Sequence, residues 1–261
     1  MMMSHTEATT DEVIGHVENG VGVVTLNRPG RMNAVTFSSR AILISILRAF
    51  DEDPGIGAIV IRGADSRSFS SGQSLDETAA VQLDTIIAWQ EDQKRMYDAV
   101  RNLTKGCVSV VDGICAGAGF HVALLSDWRI ATVRSRWGQP EVKVGLASIT
   151  GPYMIGMHVG LTHNVQLSLM GDLITGQRAY EMGLVTELAE ESALMSTAME
   201  RAAKLAAIPR TAMRLTKQRF RAATQSAFDE AVTAGIRAQL ECFADGEPHR
   251  LMSEFIAKRK K

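Results

Sequence analysis

Residues Gly113 to Asp127 read GICAGAGFHVALLSD, and the chemistry of the chain is concentrated around them. Glycines and alanines precede an apolar run, with Cys115 among them and a lone histidine, His121, within a turn. Three kinds of site fit such a stretch. A dinucleotide fingerprint needs Gly-x-Gly-x-x-Gly, but Gly117-Ala118-Gly119-Phe120-His121 is followed by Val122. No acidic residue is placed about 20 residues later to hold a ribose, since Glu141 follows a proline in a loop. A nucleophile elbow matches Gly113-Ile114-Cys115-Ala116-Gly117, with cysteine in place of serine. An elbow puts its nucleophile on the strand-to-helix turn, whereas further glycines separate Cys115 from the helix; only His249 offers a late histidine, and a buried, inert thiol is the plainer reading. The third site is an anion cradle at a helix start. The first N–H groups of a helix have no internal partner and carry partial positive charge, and small residues let an oxygen reach them. That oxygen belongs to a phosphate, or to a carbonyl that becomes negative during reaction.

The stretch SFSSGQSL, Ser68 to Leu75, offers a complement. Phe69 anchors it in a core, while Ser70, Ser71 and Gly72 leave the backbone accessible. One N–H from each segment then clasps one oxygen. Taken alone, the same serines make an ordinary surface turn.

The elements that position these segments follow from pattern. Asn19-Gly20 between two β-rich runs is a hairpin signal. Ser38 to Phe50 places Ile42, Ile46, Leu47 and Phe50 on one helical face. GAIVIRG (Gly57 to Gly63), CVSVVDG and DWRIATV are short apolar strands of the kind buried in a sheet. A helix is expected over about Val81 to Leu103, and another after Gly119. SRSFSSGQS reads as a polar loop and RWGQPEVKVGLASITGP as a long one. Strands alternate with helices up to about Leu188, which is α/β organisation. From Ser192 only helical patterning remains, broken by Pro209, Gly235, Gly246 and Pro248. The expected division is a leader at 1–11, an α/β core at 12–191 and a helical region at 192–261. No internal repeat is visible.

Composition excludes several classes of function. The chain has 261 residues, 46 % hydrophobic and 22 % charged, with net charge −1. It is long enough for one large domain, and no global basic field favours nucleic acid or an anionic membrane. The basic end KRKK is a solvated tail or a phosphate contact. Three cysteines without paired spacing suit reduced thiols and a cytoplasmic setting. No apolar run reaches the roughly 18 residues of a membrane span, and MMMSHTEATTDE lacks the pattern of a signal peptide. His5, His16, His158, His163 and His249 show no metal-ligand spacing, so no metal is expected.

Together GVVTLNRPGRMNA, GAIVIRGADSRSFSSGQSL, VVDGICAGAGFHVALLSDWRIAT, WGQPEVKVGL, LITGQRAYEMGLV and FIAKRKK occur in a characteristic order. On these pieces the chain resembles the crotonase (enoyl-CoA hydratase/isomerase) superfamily over nearly its whole length. The resemblance implies an α/β, crotonase-type spiral core of ββα turns with a C-terminal helical trimerisation region, as a trimer or a hexamer made of two trimers. It implies an acyl-CoA thioester substrate, a place in acyl-CoA and fatty acid metabolism, and no separate cofactor. It places the two oxyanion-hole N–H donors at Ser71 and Ala118. CoA and substrate contacts fall on Arg28, Arg31, Ala34, Ser70, Gln73, Ser74, Leu75, Gly117 and Lys258. The family's usual Gly-Ala-Asp-Leu reads Gly72-Gln73-Ser74-Leu75, so that aspartate is missing.

Hydratases of this family typically use two glutamates. The second matches Glu141 in GQPE; the first position holds His121. His121 lies three residues after Ala118 on the same helical face, and its reference pKa near 6.5 suits proton transfer. Glu141 with His121 gives hydratase-like chemistry. Glu141 alone suffices for moving a double bond, and a non-catalytic CoA-binding relative is the remaining alternative. Ser148, Thr150 and Tyr153 make the following loop more polar than the family's glycine-rich run, which argues against a simple straight-chain acyl group.

Overall fold

A computed structural model describes residues 11–259, so the expected leader lies outside the described residues except for Asp11. In chain order the elements are β1 (Val13–Glu18), β2 (Val21–Leu26), α1 (Phe37–Glu52), β3 (Ala58–Gly63), β4 (Ser68–Ser70), α2 (Leu75–Thr78), α3 (Ile86–Arg101), β5 (Gly106–Val111), β6 (Ile114–Ala116), α4 (Gly117–Leu125), β7 (Trp128–Ala131), β8 (Arg136–Gly138), α5 (Thr150–Gly156), α6 (Leu161–Met170), β9 (Ile174–Thr175), α7 (Gly176–Glu181), β10 (Glu187–Leu188), α8 (Leu194–Ala206), α9 (Arg210–Asp245) and α10 (Glu247–Arg259). Asn19 and Gly20 both take positive φ, the twist that suits a two-residue hairpin turn. They join β1 to β2 in antiparallel register, Val17 facing Gly22.

Beyond the hairpin the sheet is parallel, in the order β1-β2-β3-β5-β7-β10. A second sheet runs β4-β6-β8-β9. The chain therefore repeats one move: β3 then β4, β5 then β6, β7 then β8, a long strand in the first sheet followed by a short one in the second. This is the ββα spiral that the sequence resemblance implied, and its repetition is structural rather than visible in the residues.

Burial on both faces explains the continuous apolar strands. Along β3, Ile59 and Ile61 join the core shared with α1, α3 and α4. Ala58 and Val60 point to the other face, where Leu194, Ala198 and Ala202 of α8 cover the sheet. A third cluster brings Trp89 of α3, Leu146, Phe243 of α9 and Met252 of α10 together beneath the C-terminal helices.

Four expectations need correction. The serine-rich loop contains β4, and Ser68, Phe69 and Ser70 are all fully buried. The long loop from Arg136 holds β8, a 3-10 turn at Glu141–Val144 and the start of α5. The helix expected from Val81 begins at Ile86, because the Thr85 hydroxyl and Gln82 backbone bond each other in a turn. Gly235 does not break α9; the helix needs it small, since a Cβ there would lie 3.0 Å from the Thr150 hydroxyl oxygen. Pro248 sits in the first turn of α10, where its missing N–H costs nothing.

Helix α1 begins with a capping box. The Thr36 hydroxyl accepts from Ser39 N at 3.0 Å, and Ser39 Oγ accepts from Thr36 N at 2.7 Å. The helix carries Arg40, a buried residue that reaches the site. Thr36→Ala should lower stability by about 1 kcal/mol in urea unfolding monitored by circular dichroism.

Candidate active site

The second sheet ends at the site. Strand β6 runs directly into α4, whose first N–H groups are unsatisfied by the helix itself. Strand β4 runs beside β6 in parallel and leads into Ser71, Gly72 and Gln73. The two segments touch at glycines. A Cβ built on Gly72 would lie 3.3 Å from Ala118 N and 3.0 Å from Ala116 O, and φ there is +93°. Among the described residues the Ala118 N–H has no hydrogen-bond partner.

The partner donor differs from the expected one. Ser71 N donates to Met32 O at 2.9 Å, so that N–H is not available to a substrate. Its neighbours in the register, Val35 N to Gly72 O and Ser74 N to Val35 O, form a parallel bridge that leaves the Gln73 N–H unbonded. Period-two alternation is the reason: in a bridged segment, the residue between two bonded positions turns its N–H the other way. The donor pair in this geometry is therefore Gln73 and Ala118. The Gln73 side chain is fixed, its Oε1 accepting from Arg40 at 3.0 Å and from the Trp89 indole at 2.9 Å. Arg40 is itself held by Asp92 at 2.7 Å.

Glu141 closes the site. Its Oε1 lies 2.9 Å from where a Cβ on Gly117 would stand, and Gly117 has φ +52°. Its Oε2 is enclosed without a hydrogen-bond partner. Burial pushes the carboxyl up to about 7, because removal from water disfavours the charged form. A carboxyl balanced between its two states near neutrality is suited to give and take protons.

His121 is held differently. Its Nδ1 lies 2.9 Å from the Tyr97 hydroxyl and its Nε2 lies 3.2 Å from Gln139 Oε1. Gln139 Nε2 donates to Ser168 Oγ at 2.7 Å, and Ser168 donates to Asn164 Oδ1 at 3.1 Å. With Gln139 oriented this way, Nε2 of the imidazole donates and Nδ1 accepts. Burial lowers the ring to about 4, so it is neutral near pH 7. Both nitrogens are engaged, whereas Glu141 keeps one oxygen, Oε2, without a partner. Tyr97, Gln139 and Arg40 were missed from sequence; each is a polar residue on an otherwise apolar face, a pattern that also describes surface positions.

Of these groups Gln73, Tyr97, Gly117, His121, Gln139 and Glu141 border one cavity of about 350 Å³, together with Ala34, Ser71 and Leu75. Other expected contacts lie elsewhere. Arg28 is turned inward, bonding Ala34 O at 2.7 Å and Glu12 at 2.8 Å. Arg31 is exposed near Asp76, and Lys258 is exposed near the end of α10. Ser70 is fully buried, its hydroxyl accepting from Gly72 N at 3.2 Å, and Ser74 serves the bridge to Val35. Cys115 sits inside β6, fully buried, with its thiol pushed well above the usual range by desolvation. His249 bonds Val81 O instead. The elbow reading therefore fails.

The fold and the site together bring two backbone N–H groups without partners beside a buried carboxyl. The comparisons agree on the family. A family model described as enoyl-CoA hydratase/isomerase matches residues 16–261. The short-chain-enoyl-CoA hydratase of Clostridium acetobutylicum is 30 % identical over 257 residues, covering 96 % of both chains. The (E)-benzylidenesuccinyl-CoA hydratase of Thauera aromatica is 30 % identical over 203 residues, 77 % of this chain and 79 % of that protein. Among solved structures, an enoyl-CoA hydratase/isomerase from Mycobacterium paratuberculosis superposes with a TM-score of 0.85 at 24 % identity, over 95 % of this chain and 99 % of that one, a likeness of fold. The chain belongs to the enoyl-CoA hydratase/isomerase family.

Gly117→Ala places a methyl group against Glu141 at a left-handed backbone position. It should lower kcat by at least about 10²-fold in a steady-state assay, the scale of a lost oxyanion or proton-transfer group. Cys115→Ala, which removes only a buried thiol, should leave kcat within about twofold.

Proposed function

We propose that the chain is an enoyl-CoA hydratase-like enzyme, adding or removing water across the α,β double bond of a CoA thioester without a separate cofactor. The observation that carries this is the buried Glu141 carboxyl, one oxygen of which has no hydrogen-bond partner, beside two free backbone N–H groups. In hydration, the water oxygen bonds to Cβ, and the π electrons move onto the thioester oxygen. The N–H groups of Gln73 and Ala118 hold that oxygen as negative charge grows on it. The protonated Glu141 carboxyl then gives its proton to Cα, the C=O re-forms, and the carboxylate recovers the proton that the added water releases. Dehydration runs these steps backwards. His121, held by Tyr97 and Gln139, keeps a neutral polar wall beside the reacting carbons.

Double-bond isomerisation is the second reading, and one observation favours it: both ring nitrogens of His121 are bonded, and one free carboxylate is enough to take a proton at one carbon and return it at another. A trimer or a hexamer made of two trimers belongs to the same proposal, as does a cytoplasmic setting. Leu161, Val165 and Leu169 leave one face of α6 apolar and exposed, a face that suits burial against another subunit. No helix among the described residues is long and apolar enough to cross a membrane.

Glu141→Gln should cut the hydration rate of a trans-2-enoyl-CoA by about 10²–10⁴-fold, with thioester binding retained. If His121→Ala costs as much, two side chains share the proton transfers and the single-carboxyl mechanism fails. The pH dependence has a defined sign. Hydration needs Glu141 protonated, so its kcat/KM should fall as pH rises through about 7, and dehydration must follow the same profile because the equilibrium consumes no proton; isomerisation starts from the carboxylate and should rise. The same raised pKa makes the native state less stable above pH 7 than below the ordinary glutamate value near 4.5. Glu141→Gln should therefore stabilise the protein at pH 8 by roughly 2–3 kcal/mol, and by little at pH 4. Size-exclusion chromatography with light scattering should give three or six chains; a monomer contradicts the assembly.

A further inference from the structure

The wall of the cavity beyond Glu141 is more polar than an alkyl chain requires. Helix α3 turns Gln90 and Gln93 toward it. Gln90 is more than nine-tenths buried, yet its carboxamide has no hydrogen-bond partner among the described residues. The segment after Glu141 and helix α9 contribute Ser148 and Gln239 to the same lining. Gln239 Nε2 donates to Ala147 O at 2.8 Å, which fixes its amide and leaves Oε1 enclosed without a donor; Ser148 Oγ is likewise unpartnered. Enclosed acceptors and hydroxyls without partners are costly, and a ligand that supplies the partner recovers that free energy.

The charge pattern excludes an anionic partner. Lys94 also lines the cavity, but its ammonium is held by Asp98 at 2.6 Å and Asp229 at 3.1 Å. A carboxylate on the acyl group would meet Glu141, and the second lysine of the lining, Lys143, is already paired with Asp172. A hydroxyl suits the site, because it can donate to Gln239 Oε1 or to the Gln90 carbonyl and accept from Ser148. Trp89, Leu146, Ile149 and Val232 supply apolar surface for the rest of the group.

We infer that the acyl group taken by this cavity is neutral and carries a hydroxyl, alcoholic or phenolic, beyond the reacting double bond, with Gln90, Ser148 and Gln239 as its specificity-determining contacts. The inference rests on the proposal that the cavity holds the acyl part of a CoA thioester. Calorimetric titration of the full chain tests it with three saturated acyl-CoA thioesters of equal length, ending in methyl, hydroxyl or carboxyl. The hydroxyl compound should bind about tenfold tighter than the methyl one, the scale of one or two buried hydrogen bonds, and Gln239→Leu should bring that ratio toward one. Equal affinities, or a preference for methyl or carboxyl, overturn the inference, and the wild-type ratio decides it even if the variant misfolds. Turnover is measured separately with the matching enoyl thioesters. Absence of hydration with the hydroxyl preference intact contradicts the hydratase reading alone; failure to bind any of the three contradicts both.

Discussion

The site depends on the contact between two backbones, one passing Gly72 and the other passing Gly117. No pair of ordinary residues allows it: side chains there would strike Ala116 O, Ala118 N or the Glu141 carboxyl. The ββα repetition brings such segments side by side. Strand β6 hands directly to α4, so the helix starts with its N–H groups beside the end of β4. A parallel bridge to Val35 then determines which N–H of the β4 segment faces outward. The resulting donors are peptide groups fixed by strand pairing and a helix start, which need no reorganisation as charge develops on a substrate oxygen.

Burial sets the roles of the two titratable side chains. It raises Glu141 to about 7 and lowers His121 to about 4, the same desolvation acting on an acid and a base. What differs is partnership. Glu141 has an oxygen with no hydrogen-bond partner, whereas His121 is tied at both nitrogens into a line from Gln93 through Tyr97 to Gln139 and Ser168. A saturated network of this kind rigidifies its surroundings. The histidine is thus a neutral, oriented group in the cavity wall.

Much of this was legible in the residues. Asn19-Gly20 marked the hairpin, continuous apolar runs marked the central strands, and the motif order pointed to the family. The motif singles out Glu141 and the family resemblance Ala118, and the structure brings these two segments together at Gly117 and Gly72. Ser71 N is taken by Met32 O and Gln73 N is left free, a choice set by the bridge to Val35, a contact more than thirty residues away in sequence that no local pattern encodes. A charged residue near a binding motif reads the same whether it faces a ligand, a carbonyl or water, so the motif does not separate Arg28, bonded to Ala34 O and Glu12, from the exposed Arg31. β4 was hidden because its serines are polar by type but buried by position. That Gln239 Oε1 is enclosed without a donor is likewise a property of packing alone.

The central claim is that Gln73 and Ala118 together receive the thioester oxygen. A crystal structure of the protein with a bound acyl-CoA thioester tests it most directly. The account requires that oxygen to lie about 2.7–3.1 Å from both peptide nitrogens, with Glu141 against the α carbon. A thioester oxygen bonded to Ser71, or turned away from both segments, would contradict it.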